Sequence, residues 1–181
     1  MLIRPFPKHS IRFAKKYFKS FPPITAVEIG TFRGVNAKYM LDNLKIKKLY
    51  LVDPYNDYID GSNGPRSKIK RKDLVKPKRQ AHQRLKKWDK KRVLKWVEKY
   101  SNDAAKEIPL VDYVYIDGAH IYERVLDDLN NYYPKLKESG IMAGHDIHVG
   151  EVIAAVQDFA KKKNIHFQVA GQDWWFMKPP R

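Results

Sequence analysis

An apolar run from Ile24 leads into Val27-Glu28-Ile29-Gly30-Thr31-Phe32-Arg33-Gly34, and a helical pattern follows over roughly Arg33 to Leu44. A strand that ends on an acid, then a glycine turn, then a helix leaves few folds open. Gly30 can adopt a backbone geometry that other residues avoid. Having no side chain, it also lets a ligand approach the main chain. The helix that follows aims free N–H groups and its positive dipole end at the same spot. Glu28 beside it suits a cationic amine. Together they fit a ligand with both an anionic and a cationic group, such as an amino-acid moiety. The same residues also suit a plain strand-to-helix turn, so the rest of the chain must decide.

The remaining pattern alternates. His9 to Ser20 carries Ile11, Ala14, Tyr17 and Phe18 at helical spacing, and Phe21-Pro22-Pro23 ends it. Strands are predicted at Ile24–Ile29, Lys48–Val52, Arg92–Val97, Asp112–Ile116 and Ile141–Gly144, with a closing pair at His166–Val169 and Trp174–Met177. Alternation puts one of Trp174 and Trp175 inside and the other out, as packing residues. Asn56 to Pro77, with Asp60-Gly61 and Asn63-Gly64-Pro65, reads as a long loop before a basic helix over Arg79–Lys90. Ser101-Asn102-Asp103 caps a short helix through Ile108. Helices are expected over Tyr122–Tyr133 and Val149–Lys162. This order implies an α/β fold with a parallel, doubly wound sheet. Ligands of such sheets bind at the carboxyl ends of the strands, where Glu28, Asp53, Ser101, Asp117, His145 and Asp146 fall. Asp53, 23 residues after Gly30, can take both hydroxyls of a ribose.

The chain of 181 residues is expected to form one domain, 1–181, with a helical extension over 1–23 and a basic insertion over 55–91. With 43% hydrophobic residues, global disorder is not expected. The absence of cysteine excludes disulfides and thiolate metal sites. No apolar run reaches the length of a membrane span or a signal-peptide core, so a soluble, cytoplasmic protein is expected. The net charge is +16, and the stretch Arg66–Lys99 holds 16 Lys or Arg against Asp73, Asp89 and Glu98, which is +13 of it. Such a segment, with Trp88 and Trp96, can contact nucleic-acid phosphates or be a solvated face.

The segments VEIGTFRG, YLVDPY, YSNDAAKEI, DYVYIDGAHIYERVLDDL, SGIMAGHD, EVIAAVQDF and WWFMK run in order from Ile24 to Lys178. In them the chain resembles the class I S-adenosylmethionine-dependent methyltransferases, in particular a small-methyltransferase group whose fourth and fifth strands end in D-x-x-H-x-Y and G-H-D. The resemblance implies a Rossmann-like sheet of about seven strands, mostly parallel, with an antiparallel last strand. It implies that Glu28, Gly30, Thr31, Phe32 and Gly34 receive the methionine end of S-adenosylmethionine. Asp53 would hold the ribose, Ser101 and Asn102 would border the adenine, and Asp117 would face the sulfonium and the acceptor. Two departures stand out: Ser139-Gly140 replaces a usual Gly-Gly, and Val35-Asn36 replaces the commoner Gly-x-Ser.

Methyl transfer to a hydroxyl needs alignment and a proton acceptor. His120 lies three residues beyond Asp117, where the similar catechol-type enzymes carry a catalytic lysine, and imidazole titrates near neutrality. His120 and Asp117 are therefore the candidate catalytic residues, with helix capping as the structural alternative for His120. Asp117, His120, His145, Asp146 and His148 can converge at two adjacent strand ends as a candidate divalent-metal cluster, with Asp117, His145 and Asp146 as the expected ligands and hydrogen bonding within the loop as the alternative; Ile147 stands where related metal-dependent enzymes have a ligand, with His145 or His148 as substitutes. Manganese, iron or zinc suits histidine ligands better than magnesium. The expected acceptor is a sugar or other small hydroxyl, with a glycan as partner. RNA methylation is the second reading, although no lysine–aspartate–lysine–glutamate set is evident. A nucleotide- or nucleic-acid-binding module without catalysis is the third.

Overall fold

The computed structural model describes residues 8–61 and 66–180. The turn expected at Asn63-Gly64-Pro65 and the first seven residues of the N-terminal extension lie outside them. The elements are α1 (His9–Tyr17), β1 (Ile24–Ile29), α2 (Val35–Asn43), β2 (Ile46–Val52), β3 (Tyr58–Asp60), β4 (Ser67–Ile69), α3 (Arg71–Lys90), β5 (Leu94–Val97), α4 (Ser101–Ala104), β6 (Val111–Ile116), α5 (Tyr122–Tyr132), β7 (Leu136–Gly144), α6 (Gly150–Lys163), β8 (Gln168–Ala170) and β9 (Asp173–Met177).

Seven strands form one sheet in the order β5-β2-β1-β6-β7-β9-β8. The pairs from β5 to β7 are parallel, and β9 runs antiparallel to both its neighbours. All six residues of β1 are buried, as in a strand covered on both faces, with Thr25 and Glu28 as its two polar members. On one face, Ile11 and Ala14 of α1, Ala37 and Met40 of α2 and Leu85 of α3 pack on Ala26, Leu49, Tyr113 and Trp175. On the other, Val125 and Leu129 of α5 and Val152, Val156 and Phe159 of α6 pack on Val27, Ile29, Val114 and Trp174.

Trp174 and Trp175 do alternate, but both are buried, because α1 covers the face expected to be open. The ring of Phe13 on α1 lies 5.6 Å from that of Trp175. The stretch read as a long loop is more ordered than expected. It holds the β3–β4 hairpin and the first turns of α3, with Pro77 inside the helix. Pro77 costs the helix a backbone hydrogen bond, but it is buried in the apolar stripe Leu74, Pro77, Ala81, Leu85, and that burial offsets the cost. The short helix after β5 ends at Ala104 rather than Ile108, and its Ser101, Asn102 and Asp103 make no side-chain cap; Tyr100 occupies the cap position. Strand β7 begins five residues before Ile141, running through Ser139 in a left-handed backbone conformation (φ 59°).

The helix α1 is latched to the far edge of the core. Ser10 donates to Asp173 Oδ2 from its backbone N–H (2.9 Å) and its hydroxyl (2.7 Å), and both residues are buried. Ser10→Ala removes one of these bonds to a buried carboxylate. It should lower unfolding free energy by about 1.5–3 kcal/mol, the range for hydrogen bonds to charged groups. Urea denaturation measures this; a loss below about 0.5 kcal/mol would show that the latch does not hold α1.

Candidate active site at the strand tips

The order of the sheet reverses between β1 and β6: from β1 the chain turns to β2 on one side and later to β6 on the other. A crevice opens outside the carboxyl ends of strands at such a switch point. The ladder continues one residue past each tip. Gly30 donates to Val52 O (2.9 Å), Asp53 to Val97 O (3.2 Å), Asp117 to Ile29 O (2.8 Å) and His145 to Ile116 O (3.1 Å). The four residues are thereby set on one line across the crevice.

Gly30 has φ 89°, and a Cβ there would lie 1.9 Å from the carbonyl oxygen of Asp117. No other residue fits. Gly34, with φ 67°, caps α2, and a Cβ would press on Ala81 and Leu85 of α3. Glu28 is fully buried; Asn36 Nδ2 donates to its Oε1 (2.9 Å), while Oε2 has no partner among the described residues. Burial pushes the Glu28 carboxyl up to about 8, against the bond from Asn36. The departure at Asn36 thus has a local use, since it holds the acid of the preceding strand. Thr31 Oγ1, which lies near enough to Glu28 to favour its charged form, and Asn36 Oδ1 are also buried without a well-formed hydrogen bond among the described residues. Buried polar atoms rarely go unpaired, so three around one glycine turn fit a polar ligand or ordered water there.

Phe32 is half exposed in a left-handed conformation, φ 46°. Its N–H bonds to Asp53 Oδ2 (2.7 Å), the N–H of Tyr55 bonds to Asp53 Oδ1 (2.8 Å), and Tyr55 donates back to Phe32 O (2.9 Å). The glycine turn and the turn after β2 are stitched together through Asp53. Burial raises the Asp53 carboxyl, and the two N–H bonds oppose that. Ser101 and Asn102 stand at the next tip. Asn102 turns toward α5, accepting from Asn131 (3.1 Å), and Tyr132 donates to Ser101 O (3.0 Å).

At the tips of β6 and β7 the side chains converge on His120. Its Nδ1 lies 2.9 Å from Asp60 Oδ1 and its Nε2 2.8 Å from Asp146 Oδ2. Asp117 Oδ1 is 3.9 Å from Nε2. Burial disfavours the charged ring, but the bonds to Asp146 and Asp60 outweigh it and raise His120 to about 10. A carboxylate on each ring nitrogen thus favours the protonated ring over the neutral one. Asp146, although burial raises it, is held far below the usual carboxylate range by His120 and His145. Burial raises Asp117, partly offset by Lys8, whose Nζ is 4.0 Å from Oδ2.

One acid, one histidine and a second acid, Asp117, His120 and Asp146, bring ligand atoms within 4.8 Å of one another. All three belong to the cluster expected from the sequence. His145 stands beside the group, with Nδ1 3.1 Å from Asp146 Oδ1 and Nε2 3.8 Å from the buried Asp173. His148 is exposed, 3.9 Å from Asp146. The cavity beside these tips measures about 10 Å³, lined by Asp117, Gly118, His120, His145 and Trp174 among others.

Several participants escape a sequence reading. Asp60 was visible only as half of an Asp-Gly turn, and Lys8 only as a charge before a helix. Asp128 of α5 is buried, with Oδ1 unpaired among the described residues, and burial raises it to about 7. Its helical position, between Val125 and Leu129, was its single signal. The tips gather Glu28, Asp53, Asp60, Asp117 and Asp146 into an acidic pit in a chain of net charge +16.

A family model described as a methyltransferase domain matches residues 27–147. The chain belongs to this methyltransferase family. An uncharacterized protein of Acanthamoeba polyphaga mimivirus is 30% identical over 129 residues, 68% of this chain. The chain spans about half (51%) of the length of that relative. Among solved structures, the O-methyltransferase NovP is similar with a TM-score of 0.63 at 16% identity, over 95% of this chain and 79% of NovP. A proposed rRNA methylase from Clostridium thermocellum gives 0.65 at 14%, over 93% and 97%. The N-methyltransferase NodS from Bradyrhizobium japonicum, solved with S-adenosylhomocysteine, gives 0.62 at 13%, over 98% and 90%.

The Glu28 environment predicts a pH dependence. The folded chain holds a proton up to about 8 that the unfolded chain releases above 4.5. Stability from this proton is full below 4.5 and is lost as pH rises toward 8. Glu28→Gln keeps the neutral form throughout, so its unfolding free energy should fall less between pH 5 and pH 8 than that of the wild type. Denaturant melts across that range measure both slopes, and equal slopes would show that Glu28 is ionised in the folded chain.

Proposed function

We propose that this protein transfers a methyl group from S-adenosylmethionine to a hydroxyl oxygen. The observation that carries the reading is the switch-point crevice, which aligns Glu28 with its unpaired oxygen, the Gly30 turn, Asp53 and Asp117. Glu28 Oε2 would accept from the cofactor's ammonium, and the turn from Gly30 to Gly34 would take its carboxylate at the start of α2. Asp53 has lone pairs left for a ribose after accepting from Phe32 and Tyr55. Ser101 and Asn102 would border the adenine. When bound, the cofactor would supply a sulfonium methyl group to an aligned nucleophile, with S-adenosylhomocysteine as the leaving thioether. An acidic pit in a basic protein favours such a cation.

An imidazolium cannot take a proton, so the role of proton acceptor falls to Asp117, with His120 as its catalytic partner. His120 would orient Asp117 and Asp146 from its position between Asp60 and Asp146. A divalent ion would be held by Asp117, Asp146 and His120 in its neutral form, the ion taking the place of the proton on Nε2, and it would supply Lewis acidity that lowers the pKa of an acceptor hydroxyl. A sugar or other small hydroxyl is the acceptor favoured here; the resemblance in the IDGAHIYE and GHD segments supports it, as does similarity to an O-methyltransferase. The basic stretch from Arg66 to Lys99 favours RNA as the second choice. No helix among the described residues is long and apolar enough to cross a membrane, and a cytoplasmic setting is proposed.

Titration calorimetry should detect S-adenosylhomocysteine, and Asp53→Ala should weaken it by about 1.5–3 kcal/mol, the scale of hydrogen bonds to a charged group. No binding by the wild type would end the methyltransferase reading. A radiolabelled methyl-transfer screen over glycans, small phenols and RNA then identifies the acceptor. With that acceptor, Asp117→Asn should retain S-adenosylhomocysteine binding and lose turnover by roughly 10²–10⁴-fold, the usual share of general acid–base catalysis. Exhaustive chelation should abolish transfer and manganese restore it; full activity after chelation would remove the metal from the mechanism.

A further inference from the structure

The helix α3 carries two opposed stripes. Leu74, Pro77, Ala81 and Leu85 are buried against the sheet side. Lys72, Lys76, Arg79, Lys86 and Lys90 recur at spacings of four, three, seven and four residues. At 100° per residue these five fall on one line, opposite the buried stripe. All five are exposed, and none makes an ion pair with the described residues, in contrast to Lys78, which pairs with Glu98 (2.6 Å). The line extends about 27 Å at 1.5 Å per residue. It contains no acid; Asp73 and Asp89 sit on the flanks.

Its direction is fixed by the topology. The helix starts at the strand tips, where the N–H of Arg71 bonds to Asp57 Oδ1 (2.8 Å) and Tyr100 bonds to Asp57 O (2.7 Å). It ends where β5 begins, at the opposite end of the sheet. Lys72 therefore lies at the rim of the crevice and Lys90 far from it. On the flank, His82 stacks on Trp96 with ring centroids 3.9 Å apart, beside the edge strand β5, which adds the exposed Lys95.

We infer that the α3 stripe is a docking surface for a single-stranded nucleic acid, which it grips by its phosphates and leads toward the strand-tip crevice. A row of unpaired cations complements a row of phosphates and gains by counterion release. The His82–Trp96 pair offers aromatic faces beside it, as single-strand binders use. A membrane surface fits less well, because an interfacial helix must bury its apolar face in lipid and that of α3 is already covered by the sheet. The inference concerns this face alone and stands whether or not nucleic acid is the methyl acceptor.

The test uses the full chain and a labelled 20-nucleotide single-stranded RNA, with binding followed by fluorescence anisotropy between 50 and 300 mM salt. One variant changes Lys72, Lys76, Arg79, Lys86 and Lys90 to Gln. A control changes five exposed lysines elsewhere, Lys16, Lys19, Lys47, Lys162 and Lys163, to Gln, so both lose equal charge. The stripe variant should bind at least tenfold more weakly. Its log–log salt slope should fall by roughly 3, because each phosphate no longer neutralised takes about 0.7 from the slope of a single strand. The control should stay within about threefold of the wild type. Two half-variants, Lys72/Lys76→Gln and Lys86/Lys90→Gln, should each give part of the loss. Melting temperature is checked for all; glutamine matches lysine in helix propensity, so the fold should persist. Equal losses in stripe and control variants would reduce the effect to net charge and overturn the assignment. So would absent RNA binding, or retention by phosphatidylserine vesicles without it.

Discussion

The turn after β1 and the turn after β6 touch backbone to backbone, and the geometry of the strand tips follows from that contact. Gly30 lies so near the Asp117 carbonyl that a single added carbon would overlap it. The contact draws Glu28 and Thr31 from one turn toward Asp117 from the other, across the point where the order of the sheet reverses. Lateral hydrogen bonds then fix the neighbours, with Asp53 beside Gly30 and His145 beside Asp117. A parallel sheet produces such alignment cheaply, because its strands all end on the same side and each tip needs one extra ladder bond to be placed.

Much of this frame was legible in the sequence. The strands β1, β2 and β6 were readable because each carries a short, mostly apolar run that ends at an acid or a glycine. The seven-stranded arrangement with one reversed strand came from the resemblance, not from periodicity. Burial of both Trp174 and Trp175 was misjudged because α1, distant in sequence, covers the second face. The hairpin and the start of α3 were missed for a different reason. Their residues are mostly Lys, Arg, Asp and Gly, with Pro77 as an apparent stop. Burial of Pro77 against the sheet overrides that local signal.

The candidate site was half legible. Glu28, Asp53 and Asp117 end strands, and strand ends can be read. The state of His120 cannot be read that way, since it depends on Asp60, sixty residues earlier, and on Asp146 across two tips. His120 and His145 both belonged to the expected cluster, and the fold sets both beside Asp146, with His145 also near Asp173. Charge shows the same contrast of scale. A chain of net charge +16 concentrates acids where its strands end and cations along one helix, so composition predicts neither local field.

The β3–β4 hairpin is held at its ends by side chains. Asp60 bonds to His120, and Arg66 bridges Glu123 of α5 (2.9 Å) and Glu151 of α6 (2.7 Å). Gly61 packs so closely on the His120 carbonyl that a Cβ would come within 2.4 Å of its oxygen. None of these partners belongs to a strand. A substitution in the hairpin therefore reaches His120 and the ends of two helices through side-chain contacts, without passing through the register of the seven-stranded sheet.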